Sequence, residues 1–453
     1  MDADIAHAAR GLRRRTLLAY GLGDAGTGMA AGLIGFYLFI FYTAIAGLPA
    51  WLAGTVLMVV RIWDVISDQL IGWLGDRTQH RLGPRIPWMV CCAVPLGLSM
   101  ALMWWVPPFE DPWRFLWFVL VASVFQATYS GVNLPYAALA TELTNSTSLR
   151  TRLNAARFTG SVLASLVGLV AGALLTHRGA SGYGLLGCFA GAVLIIGSLL
   201  SAIGLAPAAQ QCRRPGRDQR GLLTQLRALR PNSLFRRVVL LYLLLWCALQ
   251  LMQPVAIIYL SDAMHLPHSW STGLLIPFQL TALMGLWIWN QVANHCSRVK
   301  ALLLGGSLWI ILCLVATLLP GLHGDLSPWG PVNRMPLTLL IMAVLGLGLG
   351  ASTAYLLPWA FLPDAVDLQP GHPAGLITAF MVQIQKLGSA FSVFALGILL
   401  SWSGYAAALG PEQPQSALVM IRLCMGLVPA LLVLMALWLM KDWDRRLRPA
   451  SEH

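Results

Sequence analysis

Long apolar stretches recur along the whole chain, and each is close to or above the roughly 20 residues that a helix needs to cross a bilayer core. Twelve such stretches run from Thr16 to Leu48, Trp51 to Gly75, Ile86 to Val106, Arg114 to Thr141, Leu153 to Thr176, Tyr183 to Ala206, Val238 to Leu260, Trp270 to Ala293, Ala301 to Leu319, Met335 to Pro363, Gly375 to Leu400 and Ala417 to Met440. Only 11% of the residues are Asp, Glu, Lys or Arg, against about a quarter in soluble domains. The sequence therefore predicts an all-α integral membrane protein with twelve transmembrane helices.

One long polar stretch divides these spans six and six. We expect an N-terminal six-helix half at residues 1–206, a basic cytoplasmic linker at 207–237, a C-terminal six-helix half at 238–441 and a cytoplasmic tail at 442–453. Within the linker, residues 221–237 place apolar side chains at helical spacing among arginines. This pattern predicts either a short helix lying on the inner leaflet or a flexible linker.

Most of the 30 Lys and Arg residues lie in the N-terminal tail, in every second gap between spans, and in the C-terminal tail. By the positive-inside rule these regions face the cytoplasm, so we expect a multi-pass protein of the cell's inner (plasma) membrane with both termini inside. The formal net charge of +12 then reflects topology and requires no nucleic-acid partner.

A few charged residues fall inside the spans, where insertion costs on the order of 3 kcal/mol for each charge. Asp64 and Asp68 lie one turn apart on the second span, so their carboxylates share a helix face and repel each other. A small hard cation between them, or a proton on one of them, relieves this repulsion and makes the pair a cation-responsive site. The alternative is that Arg61 or Lys386 neutralises the pair permanently.

Lys386 lies in the eleventh span, in a region that is otherwise uncharged from Pro370 to Pro411. We expect it to face a cavity and to pair with an aspartate in at least one state. Arg422, on the twelfth span, is expected to snorkel towards the external face. All 9 histidines lie in gaps, at span ends or in the tails, which favours sodium over a histidine proton relay and leaves a shared carboxyl proton as the alternative.

The segment after the second span, GWLGDRTQHR at 72–81, resembles the GxxxDRxxxR loop motif of the major facilitator superfamily. The resemblance implies the major facilitator fold. It also implies a cytoplasmic gate in which Gly72 allows close helix approach while Asp76, Arg77 and Arg81 cap and lock neighbouring helix ends. An ordinary positive-inside loop would explain the arginines but not the spacing of the glycine and the aspartate.

Further strings, spread in order over nearly the whole chain, resemble the glycoside-pentoside-hexuronide:cation symporter family. They are YGLGDAG at 20–26, RIWDVISD at 61–68, NLPYAAL at 133–139, RF at 157–158, PWAFLPDAVD at 358–367 and QKLG at 385–388. The resemblance implies that Asp64 and Asp68, assisted by Ser130, bind the coupling sodium, lithium or proton. Two carboxylates typical of the family's galactoside carriers are replaced here by Gly28 and Asn133, and Asp24 offers a carboxylate one turn before Gly28.

The remaining candidate site residues follow from the same resemblance. The candidate substrate-binding residues are Asp24, Asn133, Tyr136, Arg157 and Lys386, and the candidate gate residues are Gly72, Asp76, Arg77, Arg81, Asp364 and Asp367. The resemblance thus implies secondary active symport of a sugar or glycoside, coupled to sodium or a proton, by alternating access between the two halves.

Three other functions stay open. The family's sodium-dependent lysophospholipid carriers share the acid pair, the lysine and the Trp-Ala-x-Leu-Pro-Asp string, so an amphipathic lipid is an alternative substrate. An uncoupled facilitator and a non-transporting membrane receptor or assembly protein are the others. We expect no enzymatic activity, no cofactor, and a monomer whose partners are a small-molecule substrate, the coupling cation and the lipid bilayer.

Overall fold

The structure, a computed structural model, describes residues 14–110, 112–144, 147–210, 233–322, 334–367 and 374–443. These residues form α-helices joined by short π-helical and 3-10 segments, and none of them lies in a β-strand. The helices are α1 (Arg14–Gly23), α2 (Ala25–Leu33), α3 (Ala50–Arg77), α4 (Ile86–Met103), α5 (Trp113–Glu142), α6 (Thr147–Leu175), α7 (Ala180–Ala209), α8 (Ser233–Ile258), α9 (His268–Gly273), α10 (Leu275–His295), α11 (Arg298–Leu318), α12 (Arg334–Asp367), α13 (Ala374–Trp402), α14 (Gln415–Met425) and α15 (Leu427–Met440). The predicted all-α class is confirmed.

Among the described residues, 11 helical segments are long and apolar enough to cross a membrane, from Ala50–Arg77 to Gln415–Met440. They correspond to the second to twelfth predicted spans. The first predicted span is divided instead into α1, α2 and two π-helical segments at Ile34–Leu38 and Phe41–Ile45. The interruption at Asp24 lies among four glycines between positions 21 and 28, and glycine weakens a helix because its backbone loses the most freedom on folding.

Large apolar side chains remain exposed along these helices. Trp287, Leu318 and Trp402, for example, are 67%, 80% and 84% exposed. Apolar surface of this extent is unfavourable in water and suits contact with lipid chains. The chain is a multi-pass membrane protein.

The first of two compact units comprises Met1–Ile34 and Ile62–Asp218. Within it, α4 packs against α5 and α7, and both α1 and α2 pack against α6 and α7. A Cβ at Gly97 of α4 would lie 2.4 Å from the carbonyl oxygen of Gly191 of α7, so these two backbones meet where no larger side chain fits. This packing brings the break at Asp24 and the helices α5 and α6 into one unit.

The second unit comprises Gly35–Arg61 and Gln219–His453. Within it, α12 packs against α10 and α11, while α8 packs against α13 and α15. The first half of α3 belongs here, since the backbone N–H of Trp51 donates to Ser401 Oγ of α13 at 2.9 Å. The predicted halves at 1–206 and 238–441 stay a prediction. Most of the predicted linker and inner-leaflet segment (211–232), and the tail from 444, lie outside the described residues.

Arg422 of α14 is half-buried and contacts the backbone of the second unit. Its Nη2 donates to the carbonyl oxygen of Ala263 at 3.4 Å, and its Nε is buried without a hydrogen-bond partner among the described residues. Ala263 ends the π-helical segment Tyr259–Ala263 beside α14, where terminal carbonyl groups need donors, and the snorkelling of Arg422 stays a prediction.

Candidate functional site

The two acids of α3 each accept a hydrogen bond from α5. Asp64 is 1% exposed, and its Oδ1 accepts from Gln126 Nε2 at 2.7 Å. Asp68, one turn later, accepts at Oδ1 from Ser130 Oγ at 2.6 Å. Gln126 and Ser130 are themselves one turn apart, so the same faces of α3 and α5 are joined twice.

A third hydrogen bond joins α3 to α5 next to the acid pair. The indole Nε1 of Trp63 donates to the carbonyl oxygen of Ser123, also on α5, at 3.1 Å. Across the described part of the chain, no group of three or more His, Cys, Asp and Glu side chains is placed to hold a metal ion. Any cation at Asp64 and Asp68 would therefore complete its coordination with neutral oxygens or water. The alternative, permanent neutralisation by Arg61 or Lys386, stays open.

A second polar cluster lies in the same unit. Arg157 Nε of α6 donates to Asp24 Oδ2 at 3.1 Å, and the two side chains are only 21% and 9% exposed. Arg157 Nη2 also donates to Asn133 Oδ1 of α5 at 3.3 Å, and its guanidinium lies 5.3 Å from the centroid of the Tyr136 ring. The structure thus brings together Asp24, Asn133, Tyr136 and Arg157, which are four of the five predicted substrate-binding residues.

Two residues that the sequence analysis did not select support this cluster. Thr27 Oγ1 donates to Asp24 Oδ1 at 2.6 Å. The Tyr20 ring stacks on Tyr136 with centroids 4.6 Å apart, and the Tyr136 hydroxyl donates to the Tyr20 carbonyl oxygen. Tyr20 begins the YGLGDAG string, so its place in that string was the available signal.

At Gly28, the backbone of α2 lies directly against α6. A Cβ there would lie 2.4 Å from the carbonyl oxygen of Ser161 of α6. No carboxylate side chain fits in this contact. The carboxylate that the structure does place beside Arg157 is Asp24, one turn earlier at the helix break.

Lys386, the fifth predicted substrate-binding residue, lies in α13 of the second unit and is half-buried. Its neighbour Gln385 donates from Nε2 to Ser389 Oγ at 2.9 Å on the same helix. The pairing of Lys386 with an aspartate stays a prediction.

The predicted gate contains an arginine bridge that the loop motif did not identify. Arg85, just before α4, donates from Nη1 to Asp76 Oδ1 and from Nε to Glu142 Oε1, each at 2.9 Å. Burial by itself lowers the pKa of Arg85, but the charges of Glu142 and Asp76 and their hydrogen bonds outweigh it and raise that pKa above its ordinary value. Arg85 is therefore a permanent cation that joins the ends of α3 and α5.

The other predicted gate residues whose side chains the structure describes do not take part in the Arg85 bridge. Among the described residues, a Cβ at Gly72 would meet no atom within 4 Å, and the close helix approach expected there stays a prediction. The Arg77 guanidinium lies 3.7 Å from the centroid of the Trp73 ring, a cation–π contact, and Arg81 is exposed. Asp364 and Asp367 lie in α12, but their side chains fall outside what the structure describes.

Membrane-crossing helices that hold buried acids and a buried arginine–aspartate pair are typical of a multi-pass membrane transporter. The chain belongs to the MFS/sugar transport protein family, whose sequence model matches residues 19–441. That family and the chain's relatives are transporters and not enzymes, as predicted. The predicted superfamily membership is thereby confirmed, and the chain is a secondary transporter of the symporter type.

Curated relatives and a solved structure agree with this assignment. An uncharacterized symporter of Synechocystis sp. is 31% identical, with 94% of this chain and 93% of the relative covered. The isoprimeverose transporter of Lactiplantibacillus pentosus is 24% identical (86% and 80% covered), and the sodium-dependent lysophosphatidylcholine symporter 1 of Mus musculus is 21% identical (94% and 84% covered). The fold is similar to that of a D-xylose-proton symporter, with a TM-score of 0.67, 14% identity, and 97% and 98% covered.

Proposed function

We propose that this protein carries a sugar or glycoside across the cell's inner membrane together with sodium or a proton. The observation that carries the proposal is the double connection between α3 and α5, in which Gln126 donates to Asp64 and Ser130 donates to Asp68. Two acids one turn apart in a buried site repel unless a cation or a proton joins them, so their state depends on ion binding.

Helix α5 offers a physical route for coupling. It carries the donors to the acid pair at Gln126 and Ser130, and within the next two turns it carries Asn133 and Tyr136, which contact Arg157. A cation that replaces the two donors at the acids changes the contacts of α5, and the same helix transmits that change to the second cluster.

The second cluster has the chemistry that sugar hydroxyls require. Asp24 accepts, Arg157 donates, Asn133 does both, and Tyr136 presents an aromatic face. An isoprimeverose transporter among the relatives supports a sugar as the substrate class. Lys386 stays a proposed substrate-binding residue. The proposed gate residues are Gly72, Asp76, Arg77, Arg81, Asp364 and Asp367.

The driving force is sufficient for accumulation. A membrane potential of 100 mV contributes roughly 2.3 kcal/mol per charge, and a tenfold cation gradient contributes about 1.4 kcal/mol. One cation per neutral substrate therefore supports about 500-fold accumulation. The distribution of Lys and Arg supports cytoplasmic termini, and we expect the protein to work as a monomer.

A lysophospholipid is the second candidate substrate, and one feature of the second unit favours it. An almost wholly apolar cavity there is lined by Phe36, Met252, Leu260, Phe278 and Leu347, among others. Apolar walls suit an alkyl group rather than hydroxyl groups. A lysophosphatidylcholine symporter is also among the relatives.

Thermal unfolding of the purified protein distinguishes these candidates. Glycosides and lysophospholipids are each added in sodium chloride and in choline chloride, because a ligand that binds the native state raises its stability. Stabilisation by a glycoside that is larger in sodium supports the proposal, and uptake of that glycoside into proteoliposomes then measures coupling. Sodium-dependent stabilisation by lysophospholipid and by no glycoside reverses the order of substrates. Stabilisation that is the same in both salts and at all pH values favours an uncoupled facilitator.

A further inference from the structure

Gln126 is a buried polar side chain that none of the sequence motifs selects. It is 8% exposed, and it lies on α5 one turn before Ser130. Its Nε2 donates to Asp64 Oδ1 at 2.7 Å, so this carboxamide contacts the more deeply buried acid of the pair.

A carboxamide next to Asp64 can serve in two states, one with a cation bound at the acid and one without. The side chain holds an NH2 donor and a carbonyl acceptor on one planar group, and a half-turn about its terminal bond exchanges the two. In the structure, the NH2 group faces the Asp64 carboxyl group. After the half-turn, Oε1 faces the same space and can bind a cation held by Asp64. The Ser130 hydroxyl has the same dual capacity towards Asp68.

The two carboxylates alone do not offer enough oxygen ligands for a cation, so an orientation of Gln126 with Oε1 towards Asp64 would add one. Hard cations such as calcium and magnesium take six or more oxygen ligands, and two carboxylates supply at most four. Within the described ranges, no third acid, histidine or cysteine joins Asp64 and Asp68 to make a metal-binding group. Neutral oxygens next to the pair therefore have to contribute, and Gln126 is already in contact with Asp64.

We propose that Gln126 is a specificity-determining ligand of the coupling cation, binding it through Oε1 and favouring sodium or lithium over a proton. An amide oxygen is a good ligand for a hard metal cation but too weak a base to take up a proton near neutral pH. Without it, the two carboxylates still bind a proton but hold a metal cation less well. This inference rests on the proposed function, in which Asp64 and Asp68 bind the coupling ion.

The test measures the sodium concentration that gives half-maximal thermal stabilisation of the full-length protein, in sodium chloride against choline chloride, at pH 6 and pH 8. Gln126→Met keeps the shape of the side chain and removes both donor and acceptor. We expect it to raise the midpoint about tenfold, the factor that corresponds to about 1.4 kcal/mol of lost ligand binding. Gln126→Glu restores an oxygen that also takes up protons, so its midpoint stays within a few-fold at pH 8 and rises at pH 6.

Thr128→Val is the matched control on the same helix, since the Thr128 hydroxyl donates to the backbone carbonyls of Val124 and Phe125. It is expected to keep the wild-type midpoint at both pH values. A Gln126→Met protein with the wild-type midpoint overturns the inference. If that variant does not fold, a Gln126→Glu protein whose midpoint has no more pH dependence than wild type overturns it instead.

Asp64→Asn separates this inference from the proposed function. If it abolishes sodium stabilisation while Gln126→Met leaves the midpoint unchanged, the inference alone fails. If the wild-type protein and Asp64→Asn respond equally to sodium, the proposed cation site fails as well.

Discussion

Arg157 donates to Asp24 across 3.1 Å and joins α6 to the break between α1 and α2. Both side chains are largely shielded from solvent, at 21% and 9% exposed. In a shielded pair, removing one partner leaves a charge without compensation and costs about 3 to 5 kcal/mol, more than the pair itself contributes. The loss of either partner is therefore expected to destabilise the first unit.

Asp24→Asn is expected to lower the unfolding temperature and to abolish substrate stabilisation, because Arg157 loses its counter-charge. The double variant Asp24→Asn with Arg157→Gln removes both charges and is expected to recover most of the stability without recovering transport. Thermal unfolding and uptake are measured on the same preparations. A double variant no more stable than Asp24→Asn alone would show that the ion pair does not account for the loss.

Ser130 is expected to affect cation binding through its hydroxyl, which donates to Asp68 at 2.6 Å. Ser130→Ala removes the hydroxyl oxygen that we propose as a neutral ligand of the cation; the loss of a contact of roughly 1 kcal/mol should raise the sodium midpoint about fivefold. Ser130→Thr keeps the hydroxyl and should restore the wild-type midpoint. A Thr variant as impaired as the Ala variant would point to crowding of α3 against α5 instead of hydroxyl chemistry.

The arginine bridge at the end of α3 predicts an unequal effect of its two acids. Glu142 is 10% exposed and Asp76 is 66% exposed. We expect Glu142→Gln to cost about 3 kcal/mol, since it leaves a largely buried arginine charge with a weaker partner. Asp76→Asn should cost under about 1 kcal/mol, and that effect should shrink in high salt. Unfolding at low and high ionic strength measures both, and equal costs would contradict the ranking.

The pH dependence of this bridge follows from the pKa of Arg85, which is raised above its ordinary value. A raised pKa in a cation contributes stability that is fully present below the unfolded-state value and is lost as the pH rises through the folded-state value. The arginine therefore stays charged from pH 6 to pH 9. The difference in unfolding temperature between wild type and Arg85→Gln should be constant over that range, and a difference that falls steadily towards pH 9 would refute this account.

Gly28→Ala is expected to destabilise the first unit by about 1 to 3 kcal/mol, the usual cost of overpacking. The reason is that the new Cβ would lie 2.4 Å from the Ser161 carbonyl oxygen. Gly184→Ala on α7 is the control, because a Cβ there meets no atom of the described residues within 4 Å. It should be neutral or slightly stabilising through helix propensity. Equal unfolding temperatures for the two variants would mean that α2 and α6 separate easily.

Much of the site could be anticipated from local patterns. The spacing of Asp64 and Asp68 on one helix face needs no tertiary information, since four residues make about one turn. The strings that contain Asp24, Asn133, Tyr136 and Arg157 selected residues that the fold brings into contact. Three residues of the site were not predicted: Gln126, Thr27 and Arg85. Each contacts a partner on another segment or in a helix break, and the periodicity of the sequence does not indicate such contacts.

The sequence by itself determined the membrane class, the all-α content and the positions of the apolar helices, because hydropathy and helical period are properties of short segments in lipid. The tertiary structure alone decided that Gln126 meets Asp64 and that Arg85 joins Asp76 to Glu142. Partner choice depends on the register and rotation of packed helices. Those are set by contacts such as Gly28 on Ser161, which join residues far apart in the chain.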